Sequence, residues 1–186
     1  LHLPVQSGSN EILKKMNRKH SIQDYLIIIE KLKEINSSME FSSDFIIGYP
    51  GENDNDFNKT CDLMNKVKFI NSYSFIFSSR PGTPASELKN IDEDIAKKRL
   101  VIFQRIADEI KLNYKKQLIK KNVKILFENK VKNEDDYYFG RDEYQNPVIS
   151  YSKKSIIGDE KSVIIKKVSQ HTIYGEIVDN KGYLAA

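Results

Sequence analysis

The chain has 186 residues, 39% hydrophobic and 30% charged, a balance that allows one domain or two small ones. No apolar run approaches the roughly 18 residues of a membrane span and no signal-peptide pattern opens the chain, so a soluble protein is expected. The net charge of +4 is uneven: Lys and Arg number 15 against 16 Asp and Glu in residues 1–110, but 15 against 10 in residues 111–186.

In chain order, Leu3 to Ser9 (LPVQSGS) reads as a strand end rich in small and polar residues. Ser21 with Asp24 forms a capping box, after which Ile22, Tyr25, Leu26, Ile29, Leu32 and Ile35 recur at helical spacing. Phe41 to Ile47 alternates too little for an exposed strand and reads as a buried parallel one, ended by Gly48, Pro50 and Gly51. The acidic cluster Glu52 to Asp56 suits the positive end of the next helix, on which Phe57, Cys61 and Met64 share a face. Asn71 to Phe77 is the next strand. Asp92 caps a long helix with the apolar stripe Ile95, Ile102, Phe103, Ile106, Ile110 and Tyr114. Strand and helix alternate three times, as in right-handed parallel units. After about Gln117 the period changes: Val123 to Phe127, Tyr137 to Arg141, Pro147 to Tyr151, Ser162 to Lys167 and Thr172 to Val178 predict five short strands, enough for a small closed barrel.

The polar residues fall at informative places. An amide at Gln6 and a carboxylate at Asp44, on neighbouring strand ends, can hydrogen-bond the hydroxyls of a ribose, and the Arg18 guanidinium can grip a carboxylate with two prongs. Ligands of barrel enzymes sit at such strand ends. A bland reading, with Gln6 and Asp44 capping turns and Arg18 a solvated charge, competes with this one. His2, His20 and His171 have no metal spacing and read as structural or exposed. No Ser-His-Asp arrangement or phosphate loop is visible. The single cysteine, Cys61, reads as a buried structural thiol and gives no disulfide framework, which fits a cytoplasmic protein.

The segments LHLPVQSGSNEILKKMNRKHS, SSDFIIGYPGE and SYSFIFSSRPGTPA, with the strand-rich C-terminal part, resemble the radical S-adenosylmethionine (SAM) methylthiotransferase family. Arg80 to Ala85 after Ser-Phe-Ile-Phe-Ser favours the branch acting on isopentenyladenosine. The resemblance implies a C-terminal fragment of a longer enzyme: residues 1–116 the later part of a partial (β/α) radical SAM barrel, 117–180 an OB-like TRAM domain, and 181–186 a tail. The implied activity is addition of a methylthio group to carbon 2 of isopentenyladenosine beside the tRNA anticodon. Alternatives are a methylthiotransferase acting on threonylcarbamoyladenosine or a ribosomal protein, or a non-catalytic RNA-binding module. By the same resemblance, Gln6 and Asp44 bind the ribose of SAM, Arg18 its methionyl carboxylate, Ile46 packs on the adenine, and Phe77 and Ser78 lie beside it. Family members hold a 4Fe-4S cluster with three cysteines spaced C-x3-C-x2-C, and with Cys61 alone this chain is expected to carry neither that cluster nor an auxiliary one, and to be inactive by itself.

For RNA, the residues singled out are Arg80, Lys120, Lys121, Lys124 and Arg141. Lys111, Lys115, Lys116, Lys120, Lys121 and Lys124 lie in a stretch without acids, which reads either as a solvated helix end or as a phosphate-attracting run. Arg80 either faces RNA or pairs with a local carboxylate. Tyr137, Tyr138 and Phe139 can stack on unpaired bases or fill a barrel core, but strand alternation forbids all three from being exposed. A tRNA partner, no membrane and a monomer are expected.

Overall fold

The computed structural model describes residues 1–178. The expected tail, residues 181–186, lies outside the described residues. Two compact units divide the chain, Leu1–Lys111 and Leu112–Ala186, and the division falls inside a long helix.

In the first unit, α1 (Asn10–Lys15), α2 (Ile22–Ile35) and α3 (Asp54–Val67) accompany two parallel strands, β1 (Ser42–Ile47) and β2 (Asn71–Ile76). They pair in register from Ser42 opposite Asn71 to Ile47 opposite Ile76. The expected first strand is an extended segment joined to β1 by isolated parallel bridges, His2 to Ser42 and Gln6 to Phe45. β1 is not uniformly buried as its composition predicts; its burial alternates, with Ser43, Phe45 and Ile47 inside and Ser42, Asp44 and Ile46 half-exposed. The covered face is aromatic, with Phe45 packed 5.5 Å from Phe69 and 4.7 Å from Phe103 between ring centroids. The other face continues onto β2 through Tyr73 and Phe75, opposite Asp44 and Ile46 and 57% and 58% exposed.

Helix starts follow the sequence closely. Ser21 and Asp24 form the expected capping box, and Asn53 with Asp56 forms a second at α3. α1 ends in a Schellman motif: Asn17 is left-handed, its N–H donates to the carbonyl of Lys14, and the Arg18 N–H donates to that of Leu13. α4 (Glu93–Gln117) starts where Asp92 Oδ1 accepts from the N–H groups of Asp94 and Ile95. Four of the six predicted stripe residues face inward: Phe103 is completely buried, and Ile106, Ile110 and Tyr114 pack against buried clusters. Ala96, Arg99 and Phe103 are buried, whereas Ile95 and Ile102 are 44% and 50% exposed. Ile95 and Ile102 lie one position before Ala96 and Phe103 with the same seven-residue spacing, so that spacing alone does not separate the exposed pair from the buried one. Arg99 settles the choice because its guanidinium reaches buried acceptors before α3. Ile35, the last residue of α2, is likewise exposed, because α2 ends there and the stripe has nothing further to cover.

The second unit is a closed barrel in the order β3-β4-β5-β7-β6, formed by β3 (Asn122–Lys130), β4 (Tyr137–Arg141), β5 (Pro147–Tyr151), β6 (Glu160–Val168) and β7 (Ile173–Ile177). All pairs are antiparallel except β5 with β7. All five predicted strands are present, β3 and β6 longer than expected and β7 shorter. Ile125, Phe127, Val148, Val163, Ile165 and Ile173 fill the interior completely buried. At about 2 kcal/mol for each fully buried aliphatic or aromatic side chain, this layer is the main source of the unit's stability. Gly140 is required where β4 passes β3, since a Cβ there would lie 2.3 Å from the Leu126 carbonyl oxygen. Closure leaves the barrel without a free sheet edge among the described residues.

Candidate cofactor-binding site

Three extended segments of the first unit end side by side. The Gln6 N–H donates to the Asp44 carbonyl (3.0 Å), the Ile46 N–H to the Gln6 carbonyl (2.9 Å), and the Phe77 N–H to the Ile47 carbonyl (2.9 Å). Sequence separation of about seventy residues thus collapses onto one sheet end carrying an amide, a carboxylate, an apolar side chain and an aromatic ring. Gln6 is buried and held at φ 74°, a left-handed conformation uncommon for a residue with a side chain. Asp44 is about one-third exposed, with His2 Nε2 3.5 Å from its Oδ2. His2 Nδ1 in turn lies 2.9 Å from Ser42 Oγ. His2 is exposed, as expected, but its bridge to Ser42 places it on the same half-open face as Asp44, a pairing no local pattern announces.

The turn after β1 is held from three sides. Gly48 and Gly51 both have positive φ (74° and 78°), and a Cβ on Gly48 would lie 2.9 Å from that of Ala96. Tyr49 donates its hydroxyl hydrogen to the Lys15 carbonyl (3.0 Å), Lys15 Nζ donates to the Gly51 carbonyl (3.0 Å), and the Phe77 ring stands edge-on to Tyr49 at 4.9 Å. Glu52 does not serve the α3 dipole as the acidic-cluster reading supposed. Its carboxylate turns inward, accepts from the Gly48 N–H (3.2 Å) and from Arg99 Nη1 (2.9 Å), and is 1% exposed. Arg99 Nη1 also donates to the Glu52 carbonyl (3.1 Å), and Nη2 to Asp54 (2.7 Å). Burial pushes the Glu52 carboxyl above its ordinary value, against the opposing effect of the Gly48 N–H and Arg99.

The loop after Gln6 is fastened to α3. Thr60 Oγ1 accepts from the Gly8 N–H (3.0 Å), and Ser7 Oγ lies 3.3 Å from it. Ser9 Oγ donates to Asp56 Oδ1 at 2.6 Å.

The other predicted residues are dispersed. Arg18 is exposed on the turn closing α1 and Ser78 and Arg80 are exposed after β2, and neither arginine makes an ion pair among the described residues. In the second unit, the lysine run is no uniform solvated helix end. Lys115 is completely buried and donates to the Gln170 carbonyl (2.7 Å), and in the first unit Lys111 donates to Asn71 Oδ1 (2.6 Å). Lys120 and Lys121 are exposed past the end of α4, while Lys124 lies on β3 and pairs with Glu160 (3.0 Å). Arg141 pairs with both oxygens of Glu128 (3.0 and 2.8 Å) and lies over Phe139 at 5.3 Å. Tyr138 points into the barrel core, which leaves Tyr137 and Phe139 on the outer face.

The sheet end suits a nucleoside: Gln6 and Asp44 offer the donor and acceptor a ribose diol needs, and Ile46 an apolar surface for a base. Iron-sulfur ligation is another matter. Cys61 is buried in the first unit's core, its thiol pushed up to about 11 by burial first and then by the Asp62 and Glu52 carboxylates. One such thiol cannot stand for three thiolates, so a cluster does not fit this chain's own residues.

Residues 1–64 match the Radical SAM superfamily. The chain is 48% identical over 180 residues to the tRNA-2-methylthio-N(6)-dimethylallyladenosine synthase of Pelagibacter ubique (strain HTCC1062), covering 97% of this chain and 40% of that protein. It is 41% identical to the synthase of the same description from Buchnera aphidicola subsp. Schizaphis graminum (96% and 41% covered) and 43% identical to that of Rickettsia typhi (96% and 40%). The chain is thus similar to the tRNA-2-methylthio-N(6)-dimethylallyladenosine synthases along nearly all of its own length, spans about 40% of theirs, and matches the Radical SAM superfamily over its first 64 residues.

Proposed function

We propose that this chain supplies part of the SAM site and the RNA-binding barrel of an enzyme that adds a methylthio group to carbon 2 of isopentenyladenosine beside the tRNA anticodon. The observation that carries the reading is the convergence of Gln6, Asp44, Ile46 and Phe77 at one end of a parallel sheet, in a chain similar to synthases of that description. Gln6 and Asp44 hold the ribose, Ile46 packs on the adenine beside the backbone of Phe77 and Ser78, and Arg18 takes the methionyl carboxylate. SAM and iron-sulfur clusters supply the radical and sulfur-transfer chemistry, with cluster ligands from outside this chain.

The barrel, read as a TRAM domain, meets tRNA. Its outer face carries Tyr137 against Tyr151 (5.6 Å, edge-on), and Phe139, Ile149 and Tyr174 in one row across β4, β5 and β7, a surface for stacking unpaired bases. Lys120, Lys121 and Arg80 contribute phosphate attraction. Lys124 and Arg141 join them only by giving up Glu160 and Glu128. The enzyme works as a cytoplasmic monomer, and no helix among the described residues is long and apolar enough to cross a membrane.

The test is the full-length enzyme, reconstituted and given tRNA carrying isopentenyladenosine. Appearance of the 2-methylthio nucleoside by mass spectrometry, reduced in Asp44→Ala at sub-saturating SAM, supports the reading. Modification of threonylcarbamoyladenosine or of a ribosomal protein instead would replace it.

A further inference from the structure

Ser9 is the N-cap residue of α1, yet its side chain makes no capping bond to that helix. Its hydroxyl goes instead to Asp56 Oδ1 at 2.6 Å, on a different helix forty-seven residues away. Asp56 is already used by α3, where its Oδ2 accepts the Asn53 N–H at 3.2 Å. One turn further, Thr60 Oγ1 donates to the Asp56 carbonyl (3.2 Å), which leaves its lone pairs to the Gly8 N–H. Gly8 itself rests on the helix backbone: a Cβ there would lie 2.3 Å from the Lys59 carbonyl oxygen. Ser7, Ser9, Asp56 and Thr60 are all essentially inaccessible to solvent. This buried clamp begins immediately after Gln6, the residue whose left-handed backbone needs outside support.

We infer that Asp56 and Thr60 are positioning residues for the cofactor: by fixing the Ser7-Gly8-Ser9 turn on α3 they hold Gln6 in the left-handed conformation from which its carboxamide serves the ribose. The inference rests on the assignment of Gln6 to SAM. A turn anchored only for stability would be satisfied by Ser9 capping its own helix. The diverted hydroxyl and the absent Cβ instead dictate where the turn sits relative to the sheet end.

Thr60→Val removes the hydroxyl while keeping the shape, and Thr60→Ser restores it. In the reconstituted full-length enzyme, Thr60→Val should weaken SAM binding by calorimetry about tenfold and raise the KM for SAM, with kcat at saturating SAM retained; Thr60→Ser should stay within about twofold of the parent. In the 186-residue chain, amide exchange at Gly8 should accelerate in Thr60→Val while α2 stays protected. If Thr60→Val unfolds the protein, Ser9→Ala takes its place, since it breaks the bond to Asp56 without removing an α1 cap. Unchanged Gly8 exchange, or faster exchange with unchanged SAM affinity, would overturn the inference. Gln6→Ala separates the two levels: if it binds SAM like the parent, the assignment of Gln6 falls and the inference with it. If it binds weakly while Thr60→Val does not, the inference alone falls.

Discussion

Replacing Arg99 by Met should destabilise the first unit by about 3 to 5 kcal/mol near neutral pH, the range for stranding one member of a buried ion pair. The figure follows from where the charges sit. Glu52 is 1% exposed and Arg99 9%, so solvent screens little of the interaction. Met keeps the alkyl packing but removes the donor to Glu52 Oε1 and to the Glu52 carbonyl, leaving the Gly48 N–H as the only hydrogen-bond donor to the carboxylate among the described residues. The Glu52 carboxyl is already raised by burial from its ordinary 4.5. Without Arg99 it rises further, and the sign is set by linkage: a carboxyl raised in the folded state favours folding most below its unfolded pKa, and that advantage is lost as pH climbs through the folded value. The Arg99→Met penalty should therefore shrink as pH falls toward about 5 and be largest at about 7.5. Cys61 gives an assay confined to the right unit, because its buried thiol reacts only on opening. With a urea dependence of about 1.5 kcal/mol per molar, the midpoint for thiol labelling should drop by roughly 2 M or more. Glu52→Gln added to Arg99→Met should recover a large part of the loss. A loss under about 1 kcal/mol, or one equal at both pH values, would refute the claim that a buried carboxylate is being neutralised at the turn.

Asp44→Ala in the full-length enzyme should weaken SAM binding by about 1 to 3 kcal/mol, and Arg18→Lys should weaken it through loss of the two-pronged donor, both read by calorimetry; unchanged affinity in both would remove these assignments. Anaerobic reconstitution of the 186-residue chain should yield no stoichiometric iron by elemental analysis, since Cys61 is the only thiol. Lys120→Gln with Lys121→Gln should lower the salt slope of tRNA binding by roughly one unit per lost contact, whereas Lys124→Gln should change it less because Glu160 already neutralises that lysine. An equal effect of Lys124→Gln would mean that its ion pair opens on RNA.

Local pattern settled the capping box at Ser21, the Asp92 cap, the face shared by Phe57, Cys61 and Met64, and the five barrel strands, because each depends on residues close in sequence. The alternation of residues 137–141 also showed that Tyr138 must part from its neighbours, though not which of them faces out. What local pattern could not reach depends on pairing across the chain. The α4 stripe was legible from Phe103 to Tyr114 but not at its start, where Ile95 fits helical spacing as well as Ala96, and only the partners of Arg99 on a distant turn break that tie. The lysine run looked uniform, but tertiary packing buries Lys115, ties Lys111 to β2, gives Lys124 a carboxylate and leaves Lys120 and Lys121 exposed, so one charge pattern has four fates. Gln6 and Asp44 were legible as polar residues at strand ends. Their adjacency, and the positions of His2 and of the Asp56 and Thr60 clamp, were set by strand register and helix docking, which bring together groups some forty to fifty residues apart that no short window contains.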